Sequence, residues 1–268
     1  MEDGAYENKE LWTEEGRRWL SSVKAKMPPF WRKYGDKYML RTLFHEINMP
    51  WDWPAEINNL EARAYCKWRT AKTGKYTRLP TEDEYYSMRN LLKKDHTDWE
   101  YQEVGNINME YWMSPNPVDM FKTAELYDLV GNVWQHTVTP IYPLKKFEIH
   151  PVYEDFTTPT FDDRHDCIKG GSFISTGNEA LYHARYAFRR HFYQFAGFRY
   201  IETDIEIEVD SHSEATISDS NVEMNLKHHY LNNESYISEV IEEIKKSVGS
   251  NSYKKGLTVG CSVGRISL

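Results

Sequence analysis

The chain has 268 residues, enough for one large domain and a smaller piece. Aromatic residues make up 15% of it, with nine Trp and nineteen Tyr, as in a compact domain whose pocket has a rigid, amphipathic lining. Eight acidic residues between positions 202 and 223 equal the whole net charge of −8, so the remaining chain is neutral and argues against a nucleic-acid partner.

Two helices are predicted in the first quarter of the chain. Thr13 is followed by two glutamates, the pattern of a helix N-terminus, and the prolines at 28–29 end this helix. Asn58 or Asn59 can cap a second helix, which carries apolar side chains on one face and ends at Gly74.

The pattern then changes from helices to strands. Thr81 and Glu84 form a capping box that begins a third helix, over residues 82 to about 94. From 95 to 200 short strands alternate with long loops, which in a compact domain are usually functional or held by unusual packing. Residues 201–209 alternate apolar and acidic side chains, which predicts a half-buried strand.

The last sixty residues are different in composition. Residues 210–225 are rich in Ser, Asp, Glu and Asn, which predicts a linker. Residues 236–246 predict an amphipathic helix, and the end of the chain predicts a short strand followed by a glycine turn at Gly260 and Gly264.

Cysteine usage and hydropathy indicate the compartment. The three cysteines, Cys66, Cys167 and Cys261, are too few and too scattered for a disulfide framework. The N-terminus lacks the apolar core of a signal peptide, and no run approaches the roughly 18 apolar residues of a membrane span. These features predict a soluble, cytoplasmic protein.

The segment 170–200 is the densest in chemistry-bearing side chains. Its cationic or potentially cationic members are His183, Arg185, Arg189, Arg190 and His191. Seven aromatic side chains alternate with them. Such a segment either folds over a polar ligand or buries its arginines against carboxylates.

Three blocks in fixed order carry a family resemblance. They are the Gly-Asn-Val-Trp of residues 131–134, the Gly-Gly-Ser of 170–172 and the Ala-Gly-Phe-Arg of 196–199. With these blocks the chain resembles the formylglycine-generating-enzyme-type domains. The resemblance implies an α+β, C-type-lectin-like fold rich in loops.

The sequence departs from that superfamily at two positions. Gln135 replaces the usual glutamate after the tryptophan of the first block, and Phe173 replaces the tryptophan after Gly-Gly-Ser. In the superfamily the glutamate can help to hold a structural calcium ion. Because an amide lacks its charge, no calcium is predicted.

Longer motifs resemble one branch, the 5-histidylcysteine sulfoxide synthases of the ovothiol pathway. These motifs lie at residues 2–16, 49–68, 78–86, 139–143 and 155–165. The related ergothioneine-pathway sulfoxide synthases share the fold and lack several of the motifs. The resemblance implies a formylglycine-generating-enzyme-type domain at 1–205, an acidic linker at 206–226 and the first part of a class I methyltransferase at 227–268.

The C-terminal Val-Gly-Cys-Ser-Val-Gly-Arg carries the methyltransferase part of the resemblance. It makes Gly260 and Gly264 the S-adenosylmethionine-binding residues, with a chance glycine loop as the alternative. The stub lacks the elements that follow this turn, so it is not expected to bind the cofactor unaided. Both chain ends look cut, which predicts a partial gene model or a truncated relative.

The ovothiol branch uses Fe(II) and O2 to join the cysteine sulfur to the histidine imidazole as a sulfoxide. Its iron histidines lie mainly in a preceding helical domain, in a His-x3-His-x-Glu pattern that this sequence lacks. The resemblance therefore predicts no metal ligand in this chain and no cofactor for the chain alone. The iron domain would act in cis or in trans.

Five residues are candidates for the site that faces cysteine and histidine. Tyr142 lies where the family places its active-site tyrosine, a proton donor; the alternative is a tyrosine in a surface turn between two prolines. The resemblance places Arg189, Arg190 and His191 where the family's C-terminal loop meets its amino-acid substrates. The guanidinium groups of the two arginines are suited to bind α-carboxylates through two hydrogen bonds. Asn178 is a further substrate-binding candidate, or only turns the backbone.

The candidate arginines also have a structural interpretation. It is an ion pair with one of three nearby acids, Asp162, Asp163 or Glu179.

Three functions compete on these observations. The first is the central domain of an ovothiol-type sulfoxide synthase, inactive or nearly so without its iron domain. A formylglycine-generating oxidase is disfavoured, because that chemistry needs paired cysteines and residues 182–200 contain none. The third is a non-catalytic ligand- or partner-binding module of the same fold.

Overall fold

The computed structural model describes residues 1–92, 105–143, 147–182 and 184–206, together with the backbone of two short strands at 258–261 and 265–267. Most of the predicted linker, the predicted helix at 236–246, His183 and Gly264 lie outside the described residues.

The starts of the three helices predicted from capping signals are confirmed, and a fourth, short helix is added. Two of the predicted ends are wrong: the first helix ends at Val23, where Lys24 takes the left-handed conformation before the prolines are reached, and the third ends at Arg89, followed by a 3₁₀ turn at Asn90–Leu92. The helices are α1 (Glu14–Val23), α2 (Asn59–Thr73), α3 (Glu82–Arg89) and α4 (Glu154–Thr157). Thr13 caps α1, and Asn58, rather than Asn59, caps α2. Reciprocal capping boxes begin both α2 and α3, so local side-chain chemistry fixes where these helices start.

Fifteen strands are described, most of them short. In chain order they are β1 (Trp31–Tyr34), β2 (Lys37–Arg41), β3 (Glu46–Asn48), β4 (Tyr76–Arg78), β5 (Gly105–Asn106), β6 (Lys122–Thr123), β7 (Leu126–Tyr127), β8 (Val130–Gly131), β9 (Trp134–Pro140), β10 (His165–Lys169), β11 (Tyr186–Arg189), β12 (Ala196–Gly197), β13 (Arg199–Thr203), β14 (Thr258–Cys261) and β15 (Arg265–Ser267). The predicted pattern of helices followed by short strands and long loops, an α+β fold, is confirmed.

These strands form two four-stranded sheets, a three-stranded sheet and two small ladders. The larger sheets have the orders β11-β10-β9-β12 and β15-β14-β13-β4, and β1-β2-β3 form the third. Among the described strands, the pairs β9–β12 and β5–β8 are parallel and the others are antiparallel. Helix α2 packs on β4 and β13 through a core that includes Cys66, Leu79, Phe198 and Tyr200.

The three sequence blocks that carry the resemblance meet in this fold. The backbone N–H of Gly131 donates to the carbonyl oxygen of Gly170 at 2.8 Å, which joins the first block to the second. The parallel pairing of β12 with β9 joins the third block to the first. Arg199 Nε donates to Gln135 Oε1 at 2.7 Å, so the glutamine that replaces the superfamily's glutamate binds a buried arginine.

The two faces of the sheet β11-β10-β9-β12 contact different helices. Because side chains alternate along a strand, Cys167 and Lys169 of β10 share one face, and both approach Glu82 of α3. Asp166 lies on the other face and accepts a hydrogen bond from Arg63 of α2 at 2.8 Å. Polar chemistry is therefore divided between an α3 side and an α2 side of one sheet.

The strand predicted at 201–209 differs from the structure in length and in burial. Strand β13 ends at Thr203, residues 204–206 are not part of a strand, and 207–209 lie outside the described residues. The alternating pattern places Glu202 on an exposed face, whereas its side chain is buried and accepts a hydrogen bond from Arg69 of α2. The reason is that β13 lies between β4 and β14 and packs under α2, so both of its edges and its acidic face are covered.

Glu56, just before α2, is a buried carboxyl group whose Oε1 has no hydrogen-bonding partner among the described residues. Burial raises its pKa from 4.5 to about 7. The neutral form is favoured in the folded chain, so its contribution to stability is complete below pH 4.5 and is lost as the pH rises through about 7.

Glu56→Gln is expected to remove this pH dependence. Near pH 8 the free energy of unfolding of the variant should exceed that of the wild type by on the order of 2 kcal/mol, because the neutral amide carries no charge to bury. Near pH 4.5 the two should agree. Urea denaturation at both pH values measures this, and two curves that fall in parallel with pH would contradict it.

Candidate functional site

Tyr142 lies just beyond the end of β9, on the α3 side of the sheet. Its backbone carbonyl accepts a hydrogen bond from Arg185 Nη1 at 3.1 Å, and the guanidinium of Arg185 lies 5.0 Å from the centre of its ring. The preceding residue, Ile141, donates its N–H to the carbonyl of His165 at 2.8 Å. Tyr142 is therefore held by Arg185, which lies just before β11, and its neighbour Ile141 is held by β10.

Tyr142 belongs to a group of charged and phenolic side chains around the buried Glu82, here called the Glu82 cluster. Its members are Glu82, Tyr86, Tyr142, Lys169 and Arg185. Glu82, the first residue of α3, accepts hydrogen bonds from Lys169 Nζ at 3.2 Å, Arg185 Nε at 2.9 Å and Arg185 Nη2 at 3.0 Å. Burial disfavours its charge, but the two cations outweigh that effect and hold the pKa of Glu82 at about 2.

Lys169 is fully engaged within the cluster. Its Nζ donates to Glu82 Oε1, to the Tyr86 hydroxyl at 2.9 Å and to the carbonyl of Ala184 at 2.6 Å, which uses all three of its protons. Burial lowers the pKa of this ammonium group. Lys169 thus stabilises the cluster and has no proton left to direct at a ligand.

Burial and nearby carboxylates together favour the neutral form of the Tyr142 phenol. Burial raises the pKa of Tyr142 above its usual value, and the charges of Glu82 and Asp83 raise it further. Asp83 itself has a pKa raised to about 7, first by burial and then by the neighbouring Glu82 and Glu84 carboxylates. At neutral pH the Tyr142 side chain is therefore the neutral phenol, whose hydroxyl can donate a hydrogen bond.

A second group of polar side chains lies at the same end of the sheet. It contains the pair of Arg189 with Asp162, one of the ion pairs that the sequence offered as the structural alternative, and adds His165, which the sequence analysis did not single out. His165 Nδ1 pairs with Asp162 Oδ1 at 2.7 Å, and Arg189 Nη2 donates to Asp162 Oδ2 at 3.0 Å. His165 lies directly opposite Arg189 in the β10–β11 ladder. The pair lies within the motif at 155–165, where an aspartate three residues before a histidine was the available signal.

Asp162 remains ionised in this group. Its partial burial acts to raise the pKa, but hydrogen bonds from His165 and from the backbone N–H of Arg164, with the charges of His165 and Arg189, lower it overall. The Arg189 side chain is 40% exposed, so part of its guanidinium is open to solvent.

Arg190 lies on the α2 side and is bound by carboxylates. Its Nε and Nη2 donate to the two oxygens of Asp166 at 2.8 and 3.0 Å, its Nη1 to Glu15 of α1 at 3.0 Å and its Nη2 also to the carbonyl of Asp163 at 2.7 Å. Arg185 and Arg189 also contact carboxylates, those of Glu82 and Asp162. Three arginines of the segment 170–200 are therefore paired with acidic side chains.

The remaining candidate residues lie elsewhere. His191 is exposed, with its ring against Phe192 at 4.8 Å between centres. Asn178 lies in the 3₁₀ turn Gly177–Ala180, and its side chain is outside the described atoms. Gly260 lies in β14, paired with Tyr200 of β13 and with Arg265 of β15. The structure thus brings Tyr142 and Arg189 to one end of the sheet. The roles of all seven candidates, including Gly264 outside the described residues, stay predictions.

The described residues do not fit an iron site. Within the described ranges, no three His, Cys, Asp or Glu side chains converge as a metal ion would require. Cys66 and Cys167 are buried free thiols, and burial raises the pKa of both, that of Cys66 to about 12, so neither is a ready thiolate. The described helices include none that is long and apolar enough to cross a membrane.

Comparison with known proteins defines the class. The family of the sulfatase-modifying factor enzyme 1-like domain matches residues 13–204, which is most of the chain. The chain therefore belongs to this family, and the predicted formylglycine-generating-enzyme-type domain is confirmed.

Particular relatives are more distant. Hercynine oxygenase of Mycobacterium tuberculosis is 28% identical over 191 residues, 65% of this chain and 41% of the relative. Ergothioneine biosynthesis protein 1 of Schizosaccharomyces pombe is 25% identical over 190 residues, 67% of this chain and 22% of the relative. Inactive C-alpha-formylglycine-generating enzyme 2 of Bos taurus is 30% identical over 141 residues, 45% of this chain and 41% of the relative. The chain spans less than half the length of each relative.

Proposed function

We propose that this chain is the substrate-facing domain of an iron- and O2-dependent sulfoxide synthase that joins the sulfur of cysteine to the imidazole of histidine, as in the ovothiol pathway. The observation that supports it best is the placement of Tyr142. Its ring and backbone contact Arg185 of the Glu82 cluster, and it lies at the same end of the sheet as Arg189. The similarity to hercynine oxygenase agrees with this class of chemistry.

In this proposal the chain's own residues bind and position substrates. The Tyr142 hydroxyl donates a proton at the reacting end of the site, and the exposed part of the Arg189 guanidinium receives an amino-acid carboxylate. Asn178 and His191 would complete the substrate wall. Arg190 would act by holding the loop, since its donors already contact Asp166, Glu15 and Asp163.

Two cofactors belong to the proposed parent protein rather than to the described residues. Iron would be ligated by a helical domain supplied in cis or in trans, and no step through iron is assigned to residues of this chain. The methyltransferase start at 227–268, with Gly260 and Gly264 at the S-adenosylmethionine turn, is proposed on the sequence resemblance alone. The antiparallel neighbours on both sides of Gly260 do not fit a cofactor turn at that residue.

A non-catalytic binding module is the second candidate. The similarity to the inactive bovine enzyme favours it, as does the engagement of Arg185, Arg189 and Arg190 by carboxylates. The two candidates differ in whether a product forms when an iron-carrying domain of the His-x3-His-x-Glu type is added in trans. The sulfoxide synthase domain should then yield a sulfoxide from cysteine, histidine and O2, whereas a binding module should bind without forming a product.

Calorimetric titration of the chain with cysteine, histidine and their mixture tests the binding step. Arg189→Ala is expected to weaken binding about 10- to 100-fold, because a hydrogen bond to a charged group contributes roughly 1.5–3 kcal/mol. The matched control is Arg18→Ala, which removes an exposed arginine paired with Glu14 at 3.5 Å and should change nothing. Failure to bind either amino acid would refute the proposal, and equal binding by both variants would refute the role of Arg189.

A further inference from the structure

We infer that Arg185 is the positioning residue for Tyr142: anchored on Glu82, it holds the backbone carbonyl and the ring of Tyr142 in the orientation that the proposed proton transfer requires. The catalytic purpose of this orientation rests on the proposed function, whereas the contact between Arg185 and Tyr142 does not. The contacts that carry it belong to the described side chains.

The guanidinium of Arg185 uses different atoms for its two partners. Nε and Nη2 donate to Glu82 at 2.9 and 3.0 Å, and Nη1 donates to the Tyr142 carbonyl at 3.1 Å. The Cζ atom of the same group lies 5.0 Å from the centre of the Tyr142 ring, within the range of a cation–π contact. Because a guanidinium is rigid and planar, fixing one edge on a carboxylate fixes the direction of the remaining donor.

The anchor itself is immobilised from several sides. The Glu82 carboxylate also receives Lys169 Nζ at 3.2 Å and the Tyr86 hydroxyl at 3.3 Å. The backbone N–H of Glu82 donates to Thr139 Oγ1 at 3.0 Å, which ties the start of α3 to β9 three residues before Tyr142. The chain from Thr139 to Tyr142 is thus held at both ends by Glu82, directly at one end and through Arg185 at the other.

Charge alone does not account for this arrangement. The charge of Arg185 acts to lower the pKa of Tyr142, yet that pKa is raised because burial is the larger effect. Removing the arginine therefore changes the pKa of Tyr142 in opposite directions, depending on whether Arg185 acts only through its charge or holds the segment in place. Loss of charge without movement would raise the pKa further, whereas release of the segment would expose the phenol and return its pKa toward about 10.

The test is a titration of the Tyr142 phenol in the full chain by NMR of [13Cζ]tyrosine. The Tyr142 resonance is identified by its absence in Tyr142→Phe. In the wild type it should not titrate up to about pH 11, whereas in Arg185→Lys it should titrate with a pKa near the ordinary value of about 10. Lysine keeps a cation beside Glu82, so the fold is retained, but it lacks the fork that reaches both partners.

One further variant serves as the control. Arg63→Lys changes an arginine of the opposite face, paired with Asp166 at 2.8 Å, and should leave the Tyr142 resonance unchanged. A Tyr142 resonance as resistant to titration in Arg185→Lys as in the wild type overturns the inference, as does an equal shift in Arg63→Lys. If the chain binds neither cysteine nor histidine while Arg185→Lys still releases the phenol, the proposed function fails and the positioning contact stands.

Discussion

Glu82→Gln is expected to lower the free energy of unfolding by about 3–5 kcal/mol, the largest single loss we predict for an ion-pair residue. The substitution removes the charge that faces Lys169 and Arg185 and leaves two buried cations without their carboxylate. Breaking a buried ion pair by removing one partner has this magnitude because the remaining charge stays desolvated. Urea denaturation followed by circular dichroism measures the change.

The matched control for Glu82→Gln is Glu14→Gln. Each residue is the first of its helix, so the favourable interaction of a carboxylate with the helix N-terminus is lost in both variants. Glu14 is exposed, and its ion pair among the described residues is with Arg18, at 3.5 Å, so its loss should be within about 1 kcal/mol. Similar losses in the two variants would mean that the Glu82 cluster contributes no specific stability.

The contribution of the Glu82 carboxylate to stability should also depend on pH in the acidic range. Its pKa is depressed from 4.5 to about 2, so the stability that it contributes is complete above pH 4.5 and is lost as the pH falls toward 2. In Glu82→Gln this part of the acid sensitivity should be absent. The test is the wild-type free energy of unfolding between these two pH values, measured beside that of the variant.

Local signals were readable from the sequence, and long-range pairs were not. Thr13, Asn58 and Thr81 were identifiable because an N-cap acts within three residues along the chain. The partners of Glu82 are 87 and 103 residues away, and Glu15 is 175 residues from Arg190. Which carboxylate meets which arginine is decided by sheet order and register, and no local pattern contains that information.

In the candidate site, too, some features could be predicted from the sequence and others could not. Resemblance singled out Tyr142 and Arg189, and the structure brings them to one end of a sheet through the register of β9, β10 and β11. The pairing of Asp162 with His165 spans three residues and was missed because the motif served only for comparison. The burial of Glu202 could not be predicted, since a strand pattern does not say which helix covers its polar face.

Gly131→Ala is expected to destabilise the fold by about 3 kcal/mol or more. Gly131 has φ +74°, and a Cβ there would lie 2.3 Å from the carbonyl oxygen of Asn106 and 2.7 Å from Ile107 Cγ2. The left-handed conformation costs a non-glycine residue roughly 1–2 kcal/mol, and forcing a methyl group into a packed site adds about 1–3 kcal/mol.

The crowding at Gly131 comes from strand pairing that cannot move aside. Asn106 lies opposite Gly131 in the parallel β5–β8 ladder, and its carbonyl also accepts the N–H of Asn132 at 2.8 Å. The N–H of Gly131 donates to Gly170, so a shift of this residue would also disturb the Gly-Gly-Ser block. Relief of the clash therefore requires breaking hydrogen bonds that hold two of the family's sequence blocks together.

Gly35→Ala is the matched control for this substitution. Gly35 has a similar backbone angle, φ +59°, in the turn between β1 and β2, and a Cβ there would meet no atom within 4 Å. It should cost only the conformational penalty, about 1 kcal/mol, so the difference between the two variants isolates the steric contribution. Thermal and urea denaturation of both variants measure that difference. Equal losses would show that the β5–β8 contact tolerates a methyl group and that backbone conformation alone requires the glycine.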